Sequence, residues 1–328
     1  MKAITYQNFG SPDILKCEEI DKPAPADDEV LVKIHAASIN PLDWKSMKGG
    51  SFLFRLLFSL GKPKIKRPGV DLSGQVEAVG RSVTQFKPGD AVFGTGYGAF
   101  AEYANSKSVT GLKSVLILKP DNVTFEQAAA APIAGLTALQ GLRDKAHLQP
   151  GQKVLVNGAA GGVGTFAVQI ARSFGAQVTG VCSTKNVDMV RSIGAQQVID
   201  YTQQDFTESG ESYDIIFDCI GNHSLSACRR VLSPKGVFVM VGGPADVPLL
   251  PLLGRMIGLL LLSPFINHKL VFFIAKSNPA DLTTLADLMA NGKVTPVIDR
   301  CYKLSEAPDA FRYMELGHAR GKVLIIPE

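Results

Sequence analysis

The segment Lys153-Val-Leu-Val-Asn-Gly-Ala-Ala-Gly-Gly-Val-Gly164 joins a short apolar run, a glycine-rich turn and the opening of a helix-forming stretch. The run Lys153–Asn157 reads as a buried strand. Gly158, Gly161 and Gly164 recur at every third position, with Gly162 in addition. A diphosphate can lie against the backbone N–H groups of a helix N-terminus only where no Cβ holds it away. A small residue at Gly164 also lets the helix pack closely on the strand. The turn formed by Gly158, Ala160, Gly161, Gly162, Val163 and Gly164 is therefore a candidate dinucleotide cradle. Tight structural turns use glycine too, so the flanking chain has to supply the context.

That context is present. Strands and helices alternate from Gln152 to about Gly243. Helix Gly162–Phe174 is closed by Gly175. Then come strand Gln177–Cys182, helix Asn186–Ile193, strand Gln197–Asp200, strand Tyr213–Cys219, helix Leu225–Val231 and strand Gly236–Val241. Strands spaced by helix-length segments imply βαβ units and a parallel sheet. The end of the second strand bears on the cofactor. An NAD site places Asp or Glu there, bonded to the ribose 2′-hydroxyl. Here the chain reads Val181-Cys182-Ser183-Thr184-Lys185-Asn186, two hydroxyls and a cation with no acid. Ser183, Thr184 and Lys185 attract a 2′-phosphate that a carboxylate would repel. Tyr201 adds a hydroxyl from the adjacent strand end. The reading favours NADP(H); a simple helix cap at Ser183-Thr184 is compatible with either cofactor. Ile220, Gly221 and Gly242 fall at the ends of later strands, where ligands gather in open α/β sheets.

Before the glycine turn the pattern is β-rich. Ala3–Tyr6, Glu29–Ala37, Gly74–Val79 and Ala91–Gly94 are short β-prone runs. Thr124 and Gln127 have capping-box spacing, opening a helical run to Leu142 with Pro132 as a kink or a start. A length of 328 residues suits two domains. Hydrophobic residues at 46% argue for a packed core rather than disorder. A net charge of +4 is too small for a nucleic-acid footprint, so no such partner is expected. Cys17, Cys182, Cys219, Cys228 and Cys301 are scattered without a C-x-x-C, which argues against a disulfide framework and a structural zinc site. Met1–Gly10 lacks a secretory pattern. The apolar stretch Leu249–Leu262 is broken by Pro251, Gly254 and Arg255 and falls short of the ~20 residues of a membrane span. A cytoplasmic protein is expected, with an organelle or a membrane periphery as the alternative.

The sequence resembles the zinc-independent branch of the medium-chain dehydrogenase/reductases, the quinone oxidoreductase-like proteins. The resemblance is carried by Asn40-Pro41-Leu42-Asp43, Pro68-Gly69-Val70-Asp71-Leu72-Ser73-Gly74, Lys87-Pro88-Gly89-Asp90-Ala91-Val92-Phe93-Gly94, Ala128-Ala-Ala-Ala-Pro132 with Thr137-Ala138, and the glycine turn. Asp43-Trp44-Lys45 and Gly317-His318-Ala319-Arg320-Gly321-Lys322 are most similar to the branch's chloroplast-envelope and mitochondrial members. The resemblance implies an α/β fold: a GroES-like β-domain from residues 1–123 and 281–328, and a Rossmann domain with a doubly wound parallel sheet from 124–280. It also implies an active site in the cleft between them. Zinc alcohol dehydrogenases carry Cys where this chain has Asn40 and Gly-His-Glu where it has Gly69-Val70-Asp71, so no metal is expected.

What remains is direct hydride transfer from NADPH to an acceptor that is already electrophilic, a quinone or an α,β-unsaturated carbonyl. Asn40 and Asp43 resemble the family's site-lining pair. Asn40 is expected to donate to a carbonyl oxygen, and Asp43 to orient. Lys45 is either an electrostatic stabiliser of the product anion or a solvated surface lysine. Thr137 resembles the family threonine near the nicotinamide. Phe272 and Phe273 either cover the nicotinamide or belong to the core, and Arg320 and Lys322 either reach a phosphate or sit in a solvated turn. The apolar runs Ser51–Phe58 and Leu249–Leu262 leave three readings open: a substrate lid, a membrane contact, or a core or dimer contact. The partner is then a small apolar quinone or enone, the chain a homodimer or a monomer. A rival reading is a non-catalytic NADPH-binding protein with a structural or regulatory role.

Overall fold

The computed structural model describes residues 1–48, 67–107, 114–242 and 267–328. The apolar runs Ser51–Phe58 and Leu249–Leu262 lie outside the described residues. Among the described residues, fifteen strands run in chain order: β1 (Lys2–Thr5), β2 (Lys16–Glu19), β3 (Glu29–Ser38), β4 (Asp71–Val79), β5 (Ala91–Thr95), β6 (Tyr103–Lys107), β7 (Val115–Leu118), β8 (Lys153–Asn157), β9 (Gln177–Cys182), β10 (Gln197–Asp200), β11 (Tyr213–Asp218), β12 (Leu232–Met240), β13 (Lys269–Phe272), β14 (Ile298–Lys303) and β15 (Lys322–Ile326). The helices used below are α1 (Pro41–Lys48), α2 (Phe125–Ala130), α3 (Pro132–Gln140), α4 (Gly162–Ser173), α5 (Val187–Ser192), α6 (Leu225–Arg230), α7 (Pro279–Ala290) and α8 (Ala307–Glu315).

The chain divides into two units: Met1–Leu136 with Lys276–Gly292 and Pro296–Glu328, and Thr137–Ala275 with Lys293–Thr295. The first unit therefore runs further than residue 123. The reason is α2, which buries Ala128, Ala129 and Ala130 and accepts the Ser73 hydroxyl of β4 at Phe125 O, 2.5 Å away. The expected helix to Leu142 is two helices and a wider turn, because Pro132 has no N–H to continue the first and instead opens the second.

In the first unit the strand order is β14-β15-β3-β4-β5-β7, with β6 also paired to β3. All pairs are antiparallel except β14 with β15. β3 turns Val30, Val32, Ile34 and Ala37 into a core shared with Leu72, Val76, Phe100 and Phe311. At Gly74 a Cβ would lie 2.0 Å from Lys33 O, so only glycine allows this close approach of β3 and β4.

The second unit is a parallel sheet ordered β10-β9-β8-β11-β12-β13. Numbered within the unit, this is the 3-2-1-4-5-6 order of a doubly wound sheet. Such strands are covered on both faces and read as continuous apolar runs. β8 accordingly buries Val154, Leu155, Val156 and Asn157. The α/β expectation, a GroES-like unit with a Rossmann sheet, is the fold observed.

Candidate functional site

In an open α/β sheet, ligands bind outside the carboxyl ends of the strands where the order reverses. Here that point lies between β8 and β11. Their last residues, Asn157 and Asp218, are register partners. Asn157 Nδ2 donates to Asp218 Oδ1 at 2.9 Å and to Asn222 Oδ1 at 2.9 Å. Asp218 Oδ1 also accepts from the N–H groups of Ile220 (3.1 Å) and Gly221 (2.8 Å), tying the turn after β11 to the strand end. Its other oxygen, Oδ2, is buried with no partner among the described residues. Neither Asn157 nor Asp218 was singled out from sequence; the signal was their place as the last residues of adjacent parallel strands.

The glycine turn caps this point. Gly158 takes φ +84°, a left-handed value that favours glycine. Gly161 is the extended N-cap of α4, and a Cβ there would meet only Gly158 O at 3.5 Å. Gly164 is different: its Cβ would lie 2.1 Å from Gly158 O. The first position leaves room above the helix N-terminus, and the last lets helix and strand touch. Ala160 is buried, and Gly162 and Val163 form the half-buried first turn. The cradle fits a dinucleotide diphosphate on its own backbone. Gly242 is required by its neighbour, since a Cβ would lie 2.0 Å from Cys219 O. Ile220 is 42% exposed.

At the carboxyl ends of the next two strands, Ser183 to Asn186 follow β9, and Tyr201 and Thr202 follow β10. Asp200 is the register partner of Cys182, so these two turns lie side by side. Asn186 is buried and its Nδ2 donates to Ser183 Oγ at 3.2 Å. Thr184 and Lys185 are exposed, as is Tyr201. The end of the second strand holds no acid, but Asp200, at the end of the third, stands beside it. Hydrogen bonds from Thr184 and Thr202 hold its carboxyl below the usual carboxylate range.

In the first unit, the family-motif residues form a buried charge cluster. Lys322, at the start of β15, is 3% exposed. Its ammonium donates to Asn40 Oδ1 at 2.6 Å and Ile39 O at 3.2 Å and lies 3.7 Å from Asp71 Oδ2. Asn40 Nδ2 donates to Asp71 Oδ2 at 2.9 Å and Ser38 O at 3.4 Å. Asp71 also accepts from the Ser38 hydroxyl at 3.1 Å and from Ile133 N–H at the start of α3 at 3.2 Å. Asp43 accepts from Asn40 N–H at 2.8 Å and Gly69 N–H at 3.2 Å, stapling the two loops. Burial pushes the Asp43 carboxyl up to about 7, against the pull of its backbone N–H donors. Burial also raises Asp71 and lowers Lys322.

This cluster changes two expectations. Lys322 does not sit in a solvated turn, and its ammonium is committed to the interior. The Asn40 amide, expected to face a carbonyl, spends both ends on Lys322, Asp71 and Ser38. Lys45 on α1 is half-buried, its ammonium 5.7 Å from the Trp44 ring, and burial lowers its pKa. Thr137 on α3 and Phe272 at the end of β13 are half-buried. Phe273 packs by Gly141, where a Cβ would lie 3.2 Å from its ring. Arg320 is exposed, and its N–H donates to Asp299 at 2.9 Å.

Across its whole length the chain is 34% identical to 2-methylene-furan-3-one reductase of Solanum lycopersicum, covering 79% of that protein. It is 33% identical to the chloroplastic NADPH-dependent alkenal/one oxidoreductase of Arabidopsis thaliana, again along its whole length and over 80% of that protein. The quinone oxidoreductase of Coxiella burnetii superposes with a TM-score of 0.85 at 30% identity, covering 99% of each chain. A glycine cradle at the reversal of a 3-2-1-4-5-6 sheet, joined in one chain to a largely antiparallel unit, defines a two-domain dehydrogenase or reductase. The family description "Alcohol dehydrogenase GroES-like domain" matches residues 26–114, and "Zinc-binding dehydrogenase" matches 193–325. The chain belongs to the medium-chain dehydrogenase/reductase family and is of the quinone oxidoreductase-like kind.

The second description mentions zinc, but the residues here do not fit it. Asn40 and Asp71 face the Lys322 ammonium, whose charge would repel a metal ion. Among the described residues no group of three or more His, Cys, Asp or Glu is placed to hold one.

Proposed function

We propose that this protein is an NADPH-dependent reductase that transfers a hydride to quinones or α,β-unsaturated carbonyls. The observation that carries the reading is the cradle: Gly161 leaves open backbone at the N-terminus of α4, directly at the sheet's reversal. Relatives named as an NADPH-dependent alkenal/one oxidoreductase and a 2-methylene-furan-3-one reductase, and the quinone oxidoreductase that shares the fold, support the acceptor class. The apolar runs Ser51–Phe58 and Leu249–Leu262 favour an apolar acceptor.

When bound, NADPH supplies the hydride. The chain's own part is to bind, orient and stabilise charge. The turn from Gly158 to Gly164 takes the diphosphate on backbone N–H groups. Ser183 and Lys185 take the 2′-phosphate, and Ile220, Gly221 and Gly242 line the later strand ends. Thr137, Phe272 and Phe273 are the candidates for the nicotinamide end. Asn40 and Asp43 act as positioning residues, held by Lys322 and Asp71, rather than as direct donors. Lys45, partly desolvated, is the cation available to stabilise an enolate or quinol anion. Arg320 is left as an exposed turn residue.

Several relatives are named chloroplastic or mitochondrial, which sets an organellar compartment beside the cytoplasmic one expected from sequence. No helix among the described residues is long and apolar enough to cross a membrane. Peripheral contact is tested by vesicle flotation, and homodimer against monomer by light scattering.

The decisive experiment follows loss of NADPH absorbance with phenanthrenequinone and with a medium-chain enone. Turnover with either supports the reading. NADPH bound tightly but never consumed across a quinone and enone panel would sink it and leave the non-catalytic NADPH-binding alternative.

A further inference from the structure

We infer that Asp200, acting through the hydroxyls of Thr202 and Thr184, sets the coenzyme preference of the ribose 2′ site and keeps it open to NADH as well as NADPH. This rests on the nucleotide-site reading given above.

The argument is one of counting protons. Asp200 Oδ1 accepts from Thr202 N–H at 3.0 Å and from the Thr202 hydroxyl at 2.8 Å. A hydroxyl has a single proton to donate. With that proton on the carboxylate, Thr202 Oγ1 can only accept in its 3.0 Å contact with Thr184 Oγ1. Thr184 is then the donor. Its one proton is spent on Thr202 Oγ1, in a chain of hydroxyls that ends on Asp200, and its outward side presents lone pairs. Lone pairs accept from a ribose 2′-hydroxyl and repel a 2′-phosphate.

Ser183, one residue earlier, has the opposite polarity. Its oxygen accepts from Asn186 Nδ2 at 3.2 Å, which leaves its proton free to donate to an anion. Lys185 adds a full positive charge. The turn therefore offers a donor and a cation to a phosphate, and an acceptor backed by a carboxylate to a hydroxyl. NAD sites commonly place the acid at the end of the second strand. Here the acid comes from the third strand and reaches the same ribose edge through two threonines. Both threonines are exposed, so solvent screens the effect and a shift of about three- to fivefold is expected rather than a switch.

The test is binding, read by nicotinamide fluorescence as the ratio of NADH to NADPH dissociation constants, so it does not depend on an acceptor. Asp200→Asn removes the charge and keeps an accepting oxygen. Asp200→Ala removes both and releases the Thr184 proton. Both are expected to raise the preference for NADPH, Asp200→Ala the more, by about three- to fivefold. Thr184→Val is expected to weaken NADH while leaving NADPH within about twofold, and Thr184→Ser to restore the wild-type ratio. An unchanged ratio in Asp200→Ala, or equal weakening of both coenzymes in Thr184→Val, overturns the inference while the nucleotide site stands. Failure of either coenzyme to bind the wild-type protein overturns the nucleotide site as well. Unchanged melting temperatures confirm that the variants are folded.

Discussion

Gly164 and Lys322 show how much a single side chain decides here. A Cβ at Gly164 would sit 2.1 Å from Gly158 O and 2.9 Å from Ala159 Cα, against backbone that cannot yield. Gly164→Ala is expected to weaken NADPH binding at least tenfold by prising α4 from β8, measured by fluorescence titration. Lys322 faces two buried carboxylates. Lys322→Met leaves that negative charge uncompensated and is expected to cost about 3–5 kcal/mol at neutral pH, read from urea midpoints. The loss should shrink in acid, where protonating Asp43 and Asp71 removes the orphaned charge. Asp43 has its own signature. Its pKa of about 7 in the folded protein lies above the unfolded carboxyl's value, so the folded state keeps a proton that the unfolded chain releases above ~4. That contribution is full below about pH 4 and is lost as pH rises toward 7. The urea midpoint is expected to fall across this window, and to fall less steeply in Asp43→Asn.

Among the elements, those with strong local signals were legible and those defined by partners were not. β8, α4 and β9 were found from sequence to within a residue, because a buried parallel strand is a plain apolar run and glycine closes the helix. The capping box at Thr124 is present, with Thr124 Oγ1 accepting from Gln127 N–H at 3.2 Å and Gln127 Oε1 from Thr124 N–H at 3.1 Å. Thr124→Ala is expected to cost about 1 kcal/mol, again by urea denaturation. β6, β13, β14 and α1 went unread. β14 carries Asp299, Arg300 and Lys303 and has no fully buried residue; it is a strand because β15 pairs with it. α1 holds Asp43, Trp44 and Met47 inward with Leu42 exposed, over only two turns, too short for a period to show.

At the scale of the whole molecule, two units with separate cores hold separate parts of the candidate site. The glycine cradle belongs entirely to the Thr137–Ala275 unit, and the Lys322 cluster entirely to the other. A ligand that binds only the folded state stabilises by mass action, about 2.7 kcal/mol at a hundred times its Kd. Saturating NADPH is therefore expected to slow hydrogen exchange first in β8, β9 and α4. Equal slowing in β3 and β4, or none in β8, would count against the placement of the cradle.

The sequence by itself determined the parallel sheet, its glycine turn and the family, because each rests on short-range patterns: apolar runs, glycines at fixed spacing and motifs in order. It could also show that the end of β9 is free of acid. Only the tertiary structure decided what stands beside that end. Asp200 is eighteen residues beyond Cys182 in the chain (200 against 182) and becomes its neighbour through parallel pairing. Likewise Lys322 reaches Asn40 across 282 residues of sequence. A lysine after Arg320-Gly321 reads as a phosphate ligand or a solvated turn residue until β15 is laid against β3. The charge of a residue is written in the chain, but what it faces, and so whether it binds a ligand or neutralises a buried carboxylate, depends on long-range pairing that no local pattern encodes.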